Sequence, residues 1–501
     1  MKIFLKNHYL HIIFLISILV PLSMSVVSIY TKTMPFWFDP ARDFLLALGN
    51  QNKLTLIGQP TGIPGLFYGP YWIWLLSLAL YISKDPRIVQ FLVLALPYFT
   101  IFPFILYKLR NVFSLKISIT LWVLFIFAFL RYTIFPWNPH LAPLLVLMVF
   151  YFLITTDPSG KKLIIGTLVA GILTGLIGNF HISFDIGLVL GILLFFLVTL
   201  FSKINRRAVK IFLARNLSFM LGFVITFVPF LVFESRHGFL QIKTALNTLS
   251  SQYAVVGLKG LTHEQIIKDF FQVSAQLFEV SWVIGFLISV IGIILISYLI
   301  IRRREVFRKE ISRLFILSFT TLVSLIFVYL TSKNPVWDYH FIGVEIILIL
   351  IVGLVMKEFN RVGNLIILWV FAASIFIAGS YFVKPKPSIL SYDTLGKKEY
   401  IVDLVNNDAS KSKYTVFVYN PGIYSYDYSY LFNWMVGKDV PYDPGQIKQG
   451  DRLVYLVIQK TDKSIFQDYI NYHTPNYLYK TTKVWGIADG TKIIRRELKS
   501  Q

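Results

Sequence analysis

Two aspartates and an arginine stand within one apolar stretch, "MPFWFDPARDFLLALG" (34–49), where Asp39, Arg42 and Asp43 are set among Phe, Trp and Leu directly after the first long apolar run. Carboxylates at the edge of a membrane are costly, so a structural or a chemical task must hold them there. The structural task is capping: in "DPARDFLL", Asp39 reads as the N-cap of an amphipathic helix, with Pro40 at its first position and Asp43 in its first turn. The chemical task is proton acceptance, and an anchored carboxylate suits it. The apolar Phe44, Leu45, Leu46 and Leu48 would lay this helix on a bilayer and bring Asp39 to the depth of a lipid phosphate.

Further polar residues collect on the same side of the chain once its apolar runs are threaded through a bilayer. They are Arg131, Asn138, His140, His181, Asp185, Glu234, Arg236, His237, His263, Asp338 and His340, so five of the eight histidines share one membrane face. Several familiar chemistries are absent from the sequence. There is no HExxH or close His pair for zinc, no P-loop or GxGxxG for a nucleotide, and no GxSxG for a serine nucleophile. With no cysteine, thiolate chemistry and disulfides are excluded.

The elements that must position these groups are membrane helices. Of 501 residues, 56% are hydrophobic and 15% charged, and the mean hydropathy of +0.65 places most of the chain in lipid. Twelve runs approach the ~20 residues a spanning helix needs: 9–30, 66–83, 88–107, 115–133, 139–155, 163–179, 184–201, 215–233, 281–301, 313–331, 341–356 and 364–382. The first is too long for the apolar core of a signal peptide and is read as a retained helix. If all twelve cross, the positive-inside rule fails at every loop. If 66–83, with Gly69, Pro70 and its Tyr and Trp, lies in the interface, eleven crossings remain and the cytoplasmic pieces carry 20 basic and 4 acidic residues. The net charge of +22 therefore sets orientation, N-terminus inside and C-terminal region outside, and does not advertise a nucleic-acid partner. Two long external pieces follow, 31–87 and 234–280. Beyond "KPKP" (384–387) the pattern becomes that of a small α/β module, with "YTVFVY" and "LVYLVI" as buried strands and "KEYIVDLV" and "IFQDYINY" as helices. The expected domains are 1–383 and 384–501.

An order of motifs now stands out: "FDPARDFLLALG" (38–49), "GLFYGPYWIWLLSLAL" (65–80), "FPWNPHLAPLL" (135–145), "GNFHISF" (178–184), "FLVFESRHGF" (230–239) and "WDYHFIG" (337–343). It resembles the bacterial GT-C glycosyltransferases that use polyprenyl-phosphate sugars, whose best-known members are protein O-mannosyltransferases and lipid A aminoarabinose transferases. The resemblance implies a GT-C-type transmembrane bundle with interfacial helices and a small external α/β domain. It also implies a polyprenyl-phosphate-linked sugar as donor, a glycan, lipid or protein acceptor, and an aspartate base in the first external loop, which falls on Asp39 with Asp43 next in line. Relatives often carry an acidic residue where this chain reads "WNPH", and Asn138 cannot act as a base.

Transfer from a lipid phosphate needs one carboxylate to take the acceptor proton, because a departing phosphate is already a stable anion; the leaving side wants cations and hydrogen-bond donors. Arg236 and His237 are the first choice there, with Arg131 and Lys53 behind them. Asn138, His140, His181, Asp338 and His340 are candidates for the acceptor or sugar pocket, and Tyr68, Tyr71 and Trp72 for the groove that takes the lipid chain. The piece 234–280 is a candidate lid. The aromatic run "NPGIYSYDYSYLFNW" (420–434) serves either sugar stacking or packing onto the membrane domain. No cofactor is required, no metal site is read, and a divalent cation is left open. Three rivals remain: a lipid or sugar transporter or flippase, a lipid-diphosphate-dependent glycan polymerase or ligase, and a degenerate member that only binds a glycan or lipid. No repeated halves of the kind common in transporters are visible.

Overall fold

The computed structural model describes residues 2–31, 33–156, 161–201, 205–250, 261–278, 290, 294, 310–332, 336–383, 390, 393–410, 412–421, 424–441 and 452–499. The chain begins with the long helix α1 (Lys2–Tyr30), followed by a hairpin of α2 (Phe38–Asn52) and α3 (Tyr71–Ile82). Next comes α4 (Pro86–Gln90), continued through one π-helical turn into α5 (Leu96–Lys108), and then α6 (Leu115–Ala128) and α7 (Ala142–Thr155). The helices α8 (Lys161–Phe180), α9 (Ile182–Phe201) and α10 (Arg206–Ile225) form the next group, with the shorter α11 (Val228–Arg236), α12 (Leu240–Ser250) and α13 (His263–Phe278) after them. The bundle closes with α14 (Glu310–Thr331), α15 (Val344–Glu358) and α16 (Asn360–Val383).

Local chemistry sets several of these starts. The Asp85 carboxylate accepts the Arg87 N–H at 2.9 Å, with Pro86 at the first position of α4, and the Asn205 side chain accepts the Ala208 N–H at 2.8 Å. The seventh predicted crossing, 215–233, is displaced in the structure. The helix starts at Arg206 and stops at Ile225, and a new one begins at Val228 with Pro229 in its first turn, because proline offers no N–H to continue the preceding ladder.

Eight described helices are long and apolar enough to cross a membrane. At 12 residues, α3 is only about 18 Å long and cannot span a core of about 30 Å. The run 281–301, read as a crossing, lies outside the described residues. Inside the bundle α8 and α10 meet backbone to backbone, since a Cβ on Gly171 would lie 2.1 Å from the Phe219 carbonyl oxygen and one on Gly222 would lie 2.2 Å from that of Leu168. Small residues let membrane helices approach in this way.

The C-terminal region has two strands more than the sequence pattern indicates. The sheet runs β1 (Thr415–Tyr419), β2 (Leu453–Ile458), β4 (Lys492–Leu498), β3 (Tyr479–Gly486), with β1 and β2 parallel and the other pairs antiparallel. Strand β2 is buried on both faces. Leu453, Tyr455 and Val457 join the main core beneath α17 (Leu395–Ala409) and α18 (Tyr426–Val436), while Val454, Leu456 and Ile458 pack with Ile470 of α19 (Lys463–His473). The main core is one continuous cluster that includes Phe36 and Phe44 of the segment after α1 as well as Tyr428, Tyr430 and Phe432 of α18. Thus the run 420–434 is spent largely on packing: Tyr430 lies edge-on to Phe44 at 5.2 Å and donates its hydroxyl to the Lys84 carbonyl oxygen at 2.6 Å.

Candidate active site

The hairpin of α2 and α3 builds the centre of the site. Asn50 and Ser77 tie the two helices, through Asn50 Nδ2 to Ser77 Oγ at 2.9 Å and Ser77 Oγ to the Ala47 carbonyl oxygen at 2.7 Å. The residue preceding α2 is Trp37, whose side chain makes no cap bond, so Asp39 lies within the first turn and is not the N-cap expected from the sequence. Its carboxylate instead accepts from Arg42 Nη1 at 2.7 Å. The same guanidinium holds Asp43: Nε and Nη2 both reach Oδ1, at 2.9 and 2.8 Å, and Trp72 Nε1 donates to Oδ2 at 2.9 Å.

The two carboxylates therefore differ. Asp43 is fully buried with both oxygens engaged, whereas the Asp39 side chain keeps 26% of its exposure and its second oxygen has no partner among the described residues. Burial pushes the Asp43 carboxyl up to about 6, a rise that Arg42 and Trp72 oppose and the nearby Asp39 charge reinforces.

Around Asp39 stands an aromatic wall. Trp37 packs on Phe135 at 5.1 Å and on Trp137 at 6.1 Å, Trp137 on Tyr339 at 5.3 Å, and Tyr339 on His340 at 4.4 Å. Two phenols lie within electrostatic reach of Asp39. Tyr339 is raised to about 12 by burial and by the charges of Asp39 and Asp338, and Tyr68 is raised by burial, by Tyr339 and by Asp43 and Asp39, with Arg42 opposing. Both phenols stay protonated at neutral pH and can donate a hydrogen bond beside a carboxylate that can accept a proton. Tyr68 is fixed through its backbone, which exchanges hydrogen bonds with Gly58 and Gln59, and the next residue, Gly69, lies against Asn179.

The remaining residues singled out in the sequence divide into three groups. Asn138, His140, His181 and His340 are brought to this end of the bundle but are buried. Asn138 donates to the Phe180 carbonyl oxygen at 2.5 Å, His140 Nδ1 lies 3.1 Å from that of Phe135, and His340 Nδ1 accepts the Trp337 N–H at 3.2 Å. Asp338 is exposed and caps its own turn through the Tyr339 N–H.

Among the aromatics assigned to a lipid groove, Tyr68 and Tyr71 are half-buried, but Trp72 is fully enclosed, because its indole N–H is needed by Asp43. Arg236, His237, Arg131 and Lys53 are all exposed, and among the described residues none of them is hydrogen-bonded or ion-paired to Asp39. Arg236 does not pair with Glu234, which is buried and caps α12 through the amides of Gln241 and Ile242. Arg131 lies over Tyr132, with ring centroid and guanidinium 5.4 Å apart, and His237 stacks on Phe233 at 4.0 Å. The centre of the candidate lid, 251–260, lies outside the described residues.

Sequence reading passed over Tyr339, although it stands between Asp338 and His340 in "WDYH". A single 3-10 turn, Asp338–Phe341, turns Asp338 outward and Tyr339 inward, a reversal that residue type alone does not reveal. Among the described residues no group of three or more His, Asp or Glu could hold a metal ion.

The helical bundle that carries this site has counterparts among solved structures. ArnT from Cupriavidus metallidurans in the apo state aligns with TM-score 0.61 at 10% identity, covering 98% of this chain and 98% of that chain. The same protein bound to undecaprenyl phosphate aligns at 0.58 and 11%, with 98% of each chain covered. AglB, the archaeal oligosaccharyltransferase from Archaeoglobus fulgidus, aligns at 0.48 and 12% over 90% of this chain and 70% of that chain. No family model and no curated protein sequence matches. The chain therefore shares its fold with ArnT over 98% of its length.

Proposed function

We propose that the chain is an integral-membrane glycosyltransferase that moves a sugar from a polyprenyl-phosphate donor to an acceptor hydroxyl on the outer face of the membrane. The observation that carries this reading is the division between Asp39 and Asp43: one carboxylate is consumed by Arg42 and Trp72, and the other is left with an open oxygen beside two phenols. Asp39 takes the proton of the acceptor hydroxyl as its oxygen bonds to the anomeric carbon. The anomeric carbon–phosphate oxygen bond breaks, and its electron pair leaves with the polyprenyl phosphate, inverting the anomeric centre. Arg42 orients Asp39, while Tyr68 and Tyr339 donate to sugar oxygens. A solved ArnT with undecaprenyl phosphate bound supports the donor class. On this reading the chain makes eleven crossings with the C-terminal module outside, and the exposed cations Arg236, Arg131 and Lys53 draw the anionic lipid toward the site from the membrane plane.

The test is transfer of label from undecaprenyl-phosphate-linked hexose and pentose, in turn, by membranes expressing wild type or Asp39→Asn. Loss of a positioned base costs ~100-fold or more, so transfer is expected to collapse by that factor while donor still binds. Equal activity in both would move the base elsewhere. Consumption of lipid-diphosphate donors alone would favour the polymerase or ligase class.

A further inference from the structure

The segment that carries Asp39 is gripped from outside the bundle. The Leu395 N–H donates to the Met34 carbonyl oxygen at 2.8 Å, and Pro35 forms a bridge with Thr394, so residues 34–36 lie as a short strand against the start of α17. The next carbonyl, that of Phe36, accepts from Lys398 Nζ at 2.5 Å. Lys398 is wholly buried and its three ammonium hydrogens have three takers: Phe36, Asp393 at 3.1 Å, and Asp427 in a fully buried ion pair. Burial opposes the charge, but Asp427 and Asp393 outweigh it and keep the ammonium protonated. Phe36 is itself enclosed between Phe44 and Tyr430 at 5.7 and 5.8 Å. A second tie, Arg87 to Glu399 at 3.2 Å, fixes the far end of the same external segment to α17.

Only extended Trp37 separates Phe36 from α2, and the Trp37 carbonyl opens that helix by accepting the Ala41 N–H at 3.2 Å. A peptide fixed at Phe36 therefore fixes the entry angle of the turn that bears Asp39.

We propose that Lys398 of the C-terminal module is a positioning residue for Asp39, so that the module completes the active site of the membrane domain through one buried ammonium on the Phe36 carbonyl. The proposal rests on reading Asp39 as the base. Lys397 supplies the control, because it is equally buried and ion-paired, yet its partners, Asp393 and Asp489, both belong to the module. Its loss weakens the module without touching residues 34–36.

The experiment compares full-length, detergent-purified wild type, Lys398→Met paired with Asp427→Asn so that no buried charge is left alone, and Lys397→Met. Hydrogen exchange of the amides of residues 34–39 and steady-state transfer from the undecaprenyl-phosphate sugar are both read. The expected result is exchange about 10-fold faster across 34–39 and kcat about 10-fold lower with donor KM unchanged in the Lys398 variant alone. Equal exchange in the two variants, or a Lys398 variant with kcat within about twofold of wild type, overturns the proposal. Should the double variant fail to fold, Lys398→Arg takes its place under the same criteria. Asp39→Asn is run beside them. Full activity there defeats the base assignment, while the exchange data, which need no substrate, still decide whether Lys398 holds the segment.

Discussion

Asp39 and Asp43 are four residues apart and share one arginine but differ in burial, which makes a pH experiment informative. In the folded chain Asp43 keeps its proton up to about 6, whereas an unfolded aspartate releases it near 3.9. Folding therefore takes up a proton in that window, so the contribution of Asp43 to stability is complete below about 4 and is lost as the pH rises through about 6. Asp43→Asn has no such titration. The difference in stability, variant minus wild type, is expected to grow in the variant's favour between pH 4 and 7, by up to ~3 kcal/mol, and thermal melting of the purified proteins at several pH values measures it. A difference that stays flat would mean that Asp43 is not buried. Residue type and order alone singled out the Asp39–Arg42–Asp43 cluster in the sequence. Which aspartate stays open was not legible, because that depends on Trp72, 29 positions beyond Asp43, and an indole N–H aimed at a carboxylate leaves no trace in hydropathy.

At the scale of elements, the loop between α2 and α3 is set by a contact no local pattern contains. A Cβ on Gly69 would fall 1.4 Å from Asn179 Oδ1 and a Cβ on Gly58 2.2 Å from the Gly69 carbonyl oxygen, so two glycines let the loop lie on the end of α8. Gly69→Ala is expected to destabilise the protein by ~1–3 kcal/mol and to reduce transfer, because the neighbouring Tyr68 must move with the loop. Asn179→Ala opens the space, and the double variant is expected to recover more than the two single effects would allow, with a coupling of ~0.5–3 kcal/mol. Additive losses in melting temperature would show that the two residues do not touch. Long elements were read well from apolar periodicity, as with α1, α9 and β2. The segment 66–83 was read as one piece and is really an extended stretch followed by a 12-residue helix from Tyr71, because the partner strand at Gly58 and Gln59 is too brief to carry a period. Strands β3 and β4 escaped for a related reason. Their sequences, "YKTTKVWG" and "KIIRREL", are rich in charge, and most of β3 is exposed at the edge of the sheet, where alternation is weakest.

The whole molecule joins two unlike environments through one hydrophobic cluster that runs from the bundle to the sheet. For Lys398 to reach Phe36, the module and the hairpin of α2 and α3 must stand on the same side of the membrane. The positive-inside rule predicts which side, since short pieces rich in Lys and Arg tend to stay in the cytoplasm and the loop that holds Lys108, Arg110 and Lys116 is expected to be one of them. The chain has no cysteine, so a single introduced thiol reports its own location. Arg110 is exposed at the end of α5 and Ser464 is exposed in the first turn of α19. In intact cells a membrane-impermeant maleimide is expected to label Ser464→Cys fully and Arg110→Cys only after permeabilisation, at ~10-fold or greater contrast, since a charged reagent does not cross the apolar core. The opposite pattern would invert the molecule and place Asp39 on the cytoplasmic face. Labelling of both positions in intact cells would mean that the chain between Arg110 and Ser464 crosses an even number of times, where the eleven-pass reading requires an odd number. The outcome also bears on chemistry, because a lipid-linked sugar meets this carboxylate only if its phosphate is presented in the same leaflet.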